Sequence, residues 1–414
     1  MRKLGFRLLV LFLLNQVKGA LQREVDDFMA RVLGRGLGAS VSAAALCVAR
    51  RALKATVFEA LNQRFLELVG ESERGNWHGH RVMAVDGSIL NLPATDGLFR
   101  HFSGQVQAGR RMPMARLSQL LDIDSGLTRH AIVSPLTLCE RVLAADHVEQ
   151  APKNALLLYD RGYPCFFLMA WHRQLGRDYC MRLPRGFHAG ADALFDSDEA
   201  PGKIVVNPNR AARLLCVEQA VNANPLEMRL IRVRLSTGEI EVLATSLCDE
   251  QRYPAADFAA LYARRWGIEG DFRIQKSRLQ MENFTGKRVH VIYQDVHARI
   301  LTKNLVCWLT GIAQTRLDQV AATDHHTTTA PDATPKTSRR AHTKHRQRIN
   351  LTDALHVCKH VLIRVLLGTT DDLERLLDRL DRHRHCERKG RSTPRRLCKG
   401  KAAIRFPMAY KQTG

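Results

Sequence analysis

Apolar residues near the start of the chain recur at three- and four-residue steps, as at Leu53, Val57, Leu61, Phe65 and Leu68. That spacing is one face of an amphipathic helix, and it predicts a helical region over 1–75. The Gly- and Glu-bearing stretch 70–75 closes it. The apolar run 8–14, preceded by Arg2 and Lys3, imitates a signal peptide. Three features argue instead for a helix of the folded protein. Arg7 abuts the run, Val17-Lys18-Gly19 is a poor cleavage site, and the helical period continues through Leu21, Val25, Phe28 and Met29. The run is too short to span a bilayer.

From about residue 80 the period shortens. The run 81–85 reads as a buried strand ending in Asp86, followed by Gly87 and Ser88. Strands at 117–123 and 127–133 are joined by Asp124-Ser125-Gly126. A helix is predicted over 138–148. The apolar strand 155–159 ends in Asp160 and leads to Arg161-Gly162-Tyr163. A helix over 164–175 and a strand over 179–183 follow. The Gly, Pro and Asn of 184–235, with short alternating runs, predict a mainly β insertion. A hairpin across 236–238 leads into a strand at 240–246. Helical periodicity returns over 254–280, again over 301–317, and again over 351–382. Strands alternating with helices place the chain in the α/β class. The organisation read from this is a helical N-terminal region (1–75), a core domain (76–290) interrupted by the insertion (184–235), and a helical C-terminal part of the core (291–320). A basic flexible linker (321–350) and a C-terminal helix with a basic tail (351–414) complete it.

Length and composition change this picture in one respect. The 414 residues suit two or three domains, and 45% hydrophobic with 25% charged residues excludes wholesale disorder. The charge balance is the unusual quantity: 63 Lys and Arg against 41 Asp and Glu give a net charge of +22. That surplus implies a polyanionic partner, nucleic acid or else an anionic membrane surface. The ten cysteines form no Cys-x-x-Cys pair and read as ordinary thiols of a reducing cytoplasm. The spacings of His356, Cys358, His360, His383, His385 and Cys386 fit no standard zinc finger. The basic stretches 336–348 and 387–401 are solvated tails or sequence-independent phosphate contacts.

The chemistry concentrates elsewhere. Two core strands each end in an Asp, where a rigid element fixes the carboxylate position. Side by side, Asp86 and Asp160 would repel unless a cation lay between them, and Mg²⁺ suits a pair of carboxylates with substrate phosphates. Tyr262, Arg265, Glu269, Phe272 and Lys276 fall at alternating steps of three and four, on one helical stripe. A phosphate-handling face would use them all, Glu as metal ligand and Arg and Lys as phosphate donors. Taken singly, each strand-end Asp is more often a turn or helix cap than a ligand, and Arg265 with Glu269 could be an ordinary helix pair. Trp266 is either core packing or a DNA contact.

The spacing Tyr-x2-Arg-x3-Glu-x6-Lys at Tyr262, Arg265, Glu269 and Lys276 resembles the signature of the insertion-sequence-4 family of DDE transposases. The surrounding 262–272, the strand-Asp-Gly-Ser at 82–88, the strand-Asp-Arg-Gly-Tyr at 156–163 and the order Asp, Asp, Glu support the resemblance. It covers about 80–280. It implies an RNase H-like catalytic core with a β-rich insertion and helical flanks. It implies that Asp86, Asp160 and Glu269 hold two divalent ions, magnesium with manganese able to substitute, and that Tyr262, Arg265 and Lys276 position DNA phosphates. The implied partner is double-stranded DNA, as terminal repeats and target, held by a synaptic homodimer in the cytoplasm at the nucleoid, with no membrane. Two alternatives stay open: a metal-dependent nuclease without strand transfer, and a transposase-derived protein that only binds DNA. Members that cleave through a hairpin stack a flipped base on a Trp of the insertion, and 184–235 contains none. Members also carry a further segment before a stretch like 2–6, so Met1 reads as a late start or a truncation.

Overall fold

The computed structural model describes residues 5–34, 41–70, 77–197, 202–235, 237–327, 346–368 and 370–386. The tail from 387 and most of the expected linker therefore lie outside the described residues. The chain divides into two compact units: Glu59–Arg273 with Lys287–Tyr293, and Met1–Phe58 with Ile274–Gly286 and Gln294–Gly414. Among the described residues no helix is long and apolar enough to cross a membrane.

The helical unit begins with α1 (Phe6–Leu14), α2 (Leu21–Asp27), a π-helical turn (Phe28–Val32) and α3 (Ala43–Arg50). The signal-like run lies inside it, with Leu9 through Leu14 buried. Helix α4 (Val57–Val69) carries the chain into the other unit. Polar residues bind the N-terminal helices to the later part of the helical unit. Arg50 pairs with Asp295 at 2.6 Å, both side chains buried. Burial opposes the charge of Asp295, but Arg50 and Arg299 outweigh it and hold the carboxyl below its ordinary range. Lys359 reaches Glu24 at 3.0 Å, and Asn15 meets His360 at 3.0 Å.

The α/β unit is built on one sheet. Its strands are β1 (Arg81–Asn91), β2 (Gly104–Gln107), β3 (Arg110–Asp122), β4 (Thr128–Pro135), β5 (Ala155–Tyr159), β6 (Asp178–Arg182), β7 (Lys203–Val206), β8 (Leu226–Arg234) and β9 (Ile240–Thr245). They lie in the order β2-β3-β1-β5-β6-β9-β8-β7, with β4 on β3. Strands β1, β5 and β6 are parallel, and the others pair antiparallel. Between them run α5 (Asp96–Phe102), α6 (Glu140–Gln150), α7 (Phe166–Leu175), α8 (Ala189–Asp196) and α9 (Arg210–Glu218), followed after β9 by α10 (Asp257–Ala263) and α11 (Trp266–Ser277). This is the mixed α/β architecture expected of an RNase H-like core.

The unbroken apolar run of β5 follows from burial on both faces. Leu157 and Tyr159 join Met83, Val85 and Met181 beneath α6 and α7, with Ala144, Val148 and Leu168. Leu156 and Leu158 join Val82, Cys180 and Leu243 on the other face, with Phe258, Leu261 and Tyr262 of α10. Each fully buried Leu contributes about 1.5–3 kcal/mol.

Four elements differ from expectation. The insertion contributes β7 and β8 to the sheet but also folds α8 and α9, the latter capped by Asn209, whose Oδ1 accepts from Ala212 N at 2.8 Å. Strand β1 runs on past Asp86 to Asn91, because β3 continues beside it after β5 has stopped. The helical stretch at 254–280 breaks at Arg264 and Arg265, where the backbone closes three-residue bonds, Arg265 N to Tyr262 O at 3.0 Å and Ile268 N to Arg265 O at 3.1 Å. Helix α12 (Val289–Thr327), whose residues up to Tyr293 belong to the α/β unit, continues into the segment expected as linker. Then follow β10 (Gln347–Ile349), α13 (Leu351–Cys358), α14 (Val361–Leu366), α15 (Thr370–Arg382) and β11 (Arg384–Cys386), which pairs with β10.

Candidate active site

Strand β5 pairs with β1 only as far as Ala84 with Leu158. Asp86 on β1 and Asp160 just beyond β5 therefore stand together at the end of the parallel ladder. The Oδ1 of Asp86 accepts from Gly87 N at 2.8 Å. Burial raises the Asp86 carboxyl to about 6; the Gly87 N–H and the Arg265 charge oppose this, and the negative charges of Asp160 and Glu269 add to it. The charges of Asp160 and Glu269 are thus both felt at Asp86.

The third acid is fixed by the helix break. Arg265, 3% exposed, donates from Nη2 to Glu269 Oε1 at 3.0 Å. Its guanidinium lies 5.7 Å from the Tyr262 ring centre and 5.2 Å from that of Trp266. Burial works against its charge, but Tyr262, Asp160 and Glu269 hold its pKa above the ordinary value. Tyr262 is buried, and its hydroxyl donates to the carbonyl of Tyr159 at 3.2 Å, the residue before Asp160. Burial pushes that phenol up, so it stays a donor. Trp266 is 51% exposed. Lys276 is in the last turn of α11 and belongs to the helical unit, where burial lowers its ammonium pKa.

Three further residues surround this end of the sheet, and the sequence reading missed them. A Cβ on Gly87 would lie 2.8 Å from Glu140 Oε1 and 3.8 Å from the Tyr163 hydroxyl. Glycine after Asp86 thus makes room for a carboxylate from α6, which Arg116 holds at 3.3 Å. Among the described residues the buried Tyr163 hydroxyl has no hydrogen-bond partner, and burial together with Asp86, Glu140 and Asp160 raises its pKa. Glu241 on β9 pairs with Arg182 at 3.0 Å, and the charge of Asp160 reaches it. The Asp-Arg-Gly-Tyr stretch carried the only sequence signal for any of these.

Among the described residues no group of three His, Cys, Asp or Glu side chains is gathered as a ready-made metal cage. The donor chemistry nonetheless suits a hard divalent cation: the candidates are carboxylates, and the charges of Asp160 and Glu269 reach Asp86, where a cation would offset them. Until then Arg265 is the positive charge against Glu269.

A model of the family described as "Transposase DDE domain" matches residues 77–305. The transposase InsG for insertion sequence element IS4 of Escherichia coli (strain K12) is 26% identical over 237 residues, 56% of this chain and 52% of that protein. The chain thus spans about half the length of the curated relative it matches. The cryo-EM structure of the piggyBac transposase synaptic complex with hairpin DNA is similar at a TM-score of 0.39 and 10% identity, covering 93% of this chain and 77% of that one. Since the family match takes in more than half of the 414 residues and contains all three acids, the chain belongs to the transposase DDE domain family.

Proposed function

We propose that this chain is a DNA transposase that cuts at the ends of its element and joins them to target DNA. The observation that carries the reading is the position of Asp86 and Asp160 at the end of the β1–β5 ladder, with the charges of Asp160 and Glu269 both felt at Asp86. Family membership and the similarity to an insertion-sequence transposase support it.

In this reading Asp86, Asp160 and Glu269 hold two divalent ions, magnesium or manganese. When bound, such ions supply Lewis-acid stabilisation of charge on phosphoryl oxygens and a more acidic attacking hydroxyl. The protein's own share is positioning. Gly87 N–H orients Asp86, Tyr262 ties down the strand end before Asp160, and Arg265 holds Glu269. With a cation on the Glu269 carboxylate, Arg265 would be free to face a phosphate oxygen, and Lys276 would serve phosphates as a point charge. The partner is duplex DNA, engaged by a homodimer at the nucleoid, and the surplus charge of +22 favours its capture.

A cleavage assay tests this. Purified protein is incubated with a labelled duplex carrying the DNA that flanks its own gene, with Mg²⁺ or with EDTA. Mg²⁺-dependent cutting followed by joined products is the expected result. Cutting without joined products identifies a nuclease, and binding without cutting a transposase-derived DNA-binding protein.

A further inference from the structure

Strand β3 does more than flank β1. Its pairing with β1 runs from Met83–Asp122 out to Asn91–Met114, well past the point at which β5 ends. Beyond that, β3 pairs with β2 in the register Gly104–Pro113, Gln105–Met112, Val106–Arg111 and Gln107–Arg110. The result is a two-stranded ribbon leading away from the carboxylate end of the sheet. Arg110 stands nine residues before Gln119, the cross-strand partner of Asp86. At roughly 3.3 Å per residue the tip lies about 30 Å along the ribbon from that position.

The ribbon is a built feature. Its tip is a two-residue turn in which Ala108 (φ 48°) and Gly109 (φ 73°) both take positive φ, the type I′ geometry that matches strand twist. At its root a side chain on Gly104 would meet the Met112 carbonyl at 2.0 Å, so glycine is required for the strands to close.

Its two faces differ. On one, Arg111 lies 5.4 Å over the Phe99 ring and pairs with Asp96 at 3.2 Å, leaning the ribbon on α5. The other presents Gln105, Gln107 and Arg110, all exposed. Among the described residues these three side chains have no hydrogen-bond or ion-pair partner.

We infer that this face, Gln105, Gln107 and Arg110, contacts the duplex DNA whose strand is cut at the acids. The inference rests on the DNA-acting reading above and adds a location to it. A two-stranded ribbon fits the major groove, and Gln and Arg carry the amide and guanidinium donors that bind base edges and phosphates. The charge is of the right sign, and the ribbon is longer than the roughly 12 Å width of that groove. It also leaves the sheet at the end where Asp86 and Asp160 lie.

The test is fluorescence anisotropy of the full chain on a labelled duplex in EDTA, titrated over a range of salt. Wild type is compared with Arg110→Ala and with the pair Gln105→Ala, Gln107→Ala, after melting curves show that each variant is folded. Arg110→Ala is expected to weaken binding about 3- to 10-fold near 0.15 M salt and to reduce the slope of log affinity against log salt by roughly 0.9, one phosphate contact. The double Gln variant is expected to weaken binding by a similar factor with the slope kept. Wild-type affinity and slope in both folded variants overturn the inference. So does a change confined to self-association in sedimentation, which makes the ribbon a protein interface. Failure of the wild type itself to bind duplex removes the underlying reading instead.

Discussion

Replacing Asp86 with asparagine removes a charge that the fold tolerates at a cost. Its carboxyl is raised from the ordinary 3.8 to about 6. A rise of that size corresponds to roughly 3 kcal/mol against the ionised folded form at neutral pH. Partial exposure screens some of this, and asparagine exchanges a charge-assisted bond from Gly87 N–H for a neutral one, worth about 1 kcal/mol less. The expected net gain for Asp86→Asn is therefore about 1–2 kcal/mol at pH 7.5, or about 3–6 °C for a unit of this size. The sign follows from linkage. Between about pH 4 and 6 the folded state holds the proton more tightly than the unfolded chain, so wild-type stability falls as pH rises through that window. The advantage of the variant should be small near pH 4, grow to pH 6, and stay level above it. The assay is thermal or urea unfolding across that range, repeated with millimolar Mg²⁺, which should stabilise the wild type more than the variant and narrow the gap. A variant no more stable than wild type at pH 7.5, or a gap that does not change with pH, would refute the reasoning.

Other consequences follow from single contacts. Gly87→Ala places a methyl 2.8 Å from Glu140 Oε1 and should cost about 1–2 kcal/mol; adding Glu140→Ala should recover most of that in a double-mutant cycle, and additive losses would show the crowding lies elsewhere. Tyr262→Phe loses the bond to the Tyr159 carbonyl and should cost about 1 kcal/mol in urea unfolding. It should also slow cleavage while leaving duplex affinity unchanged; an unaltered rate would remove Tyr262 from the support of Asp160.

The sequence made legible the parts that local pattern controls. Strand β5 reads directly from 155–159, and its acid lies where the run stops, because burial on both faces demands an unbroken apolar segment. The Tyr-Arg-Glu spacing survived the break in the helix, since a three-residue turn at Arg264 and Arg265 still leaves Arg265 within 3.0 Å of Glu269. What was hidden depends on partners distant in the chain. The end of β1 was misplaced because β3, not the residues after Asp86, decides how far β1 extends. Gly87 reads as an ordinary turn residue until Glu140 arrives from α6. Helices α8 and α9 were obscured by the Gly, Pro and Asn around them, although Asn209 is a cap with a short helix behind it. The ribbon tip was overlooked because Ala108 is an unusual residue at positive φ.

The most direct test of the account is single-turnover cleavage of the flanking-DNA duplex by wild type and Glu269→Ala, with affinity measured on the same samples. The account predicts Mg²⁺-dependent cutting by the wild type and none by the variant, with dissociation constants within about threefold of each other, because in this account Glu269 holds a divalent ion for the chemical step rather than capturing the duplex. Cutting retained by Glu269→Ala, or binding lost in step with cutting, would contradict the assignment of Glu269 to the site.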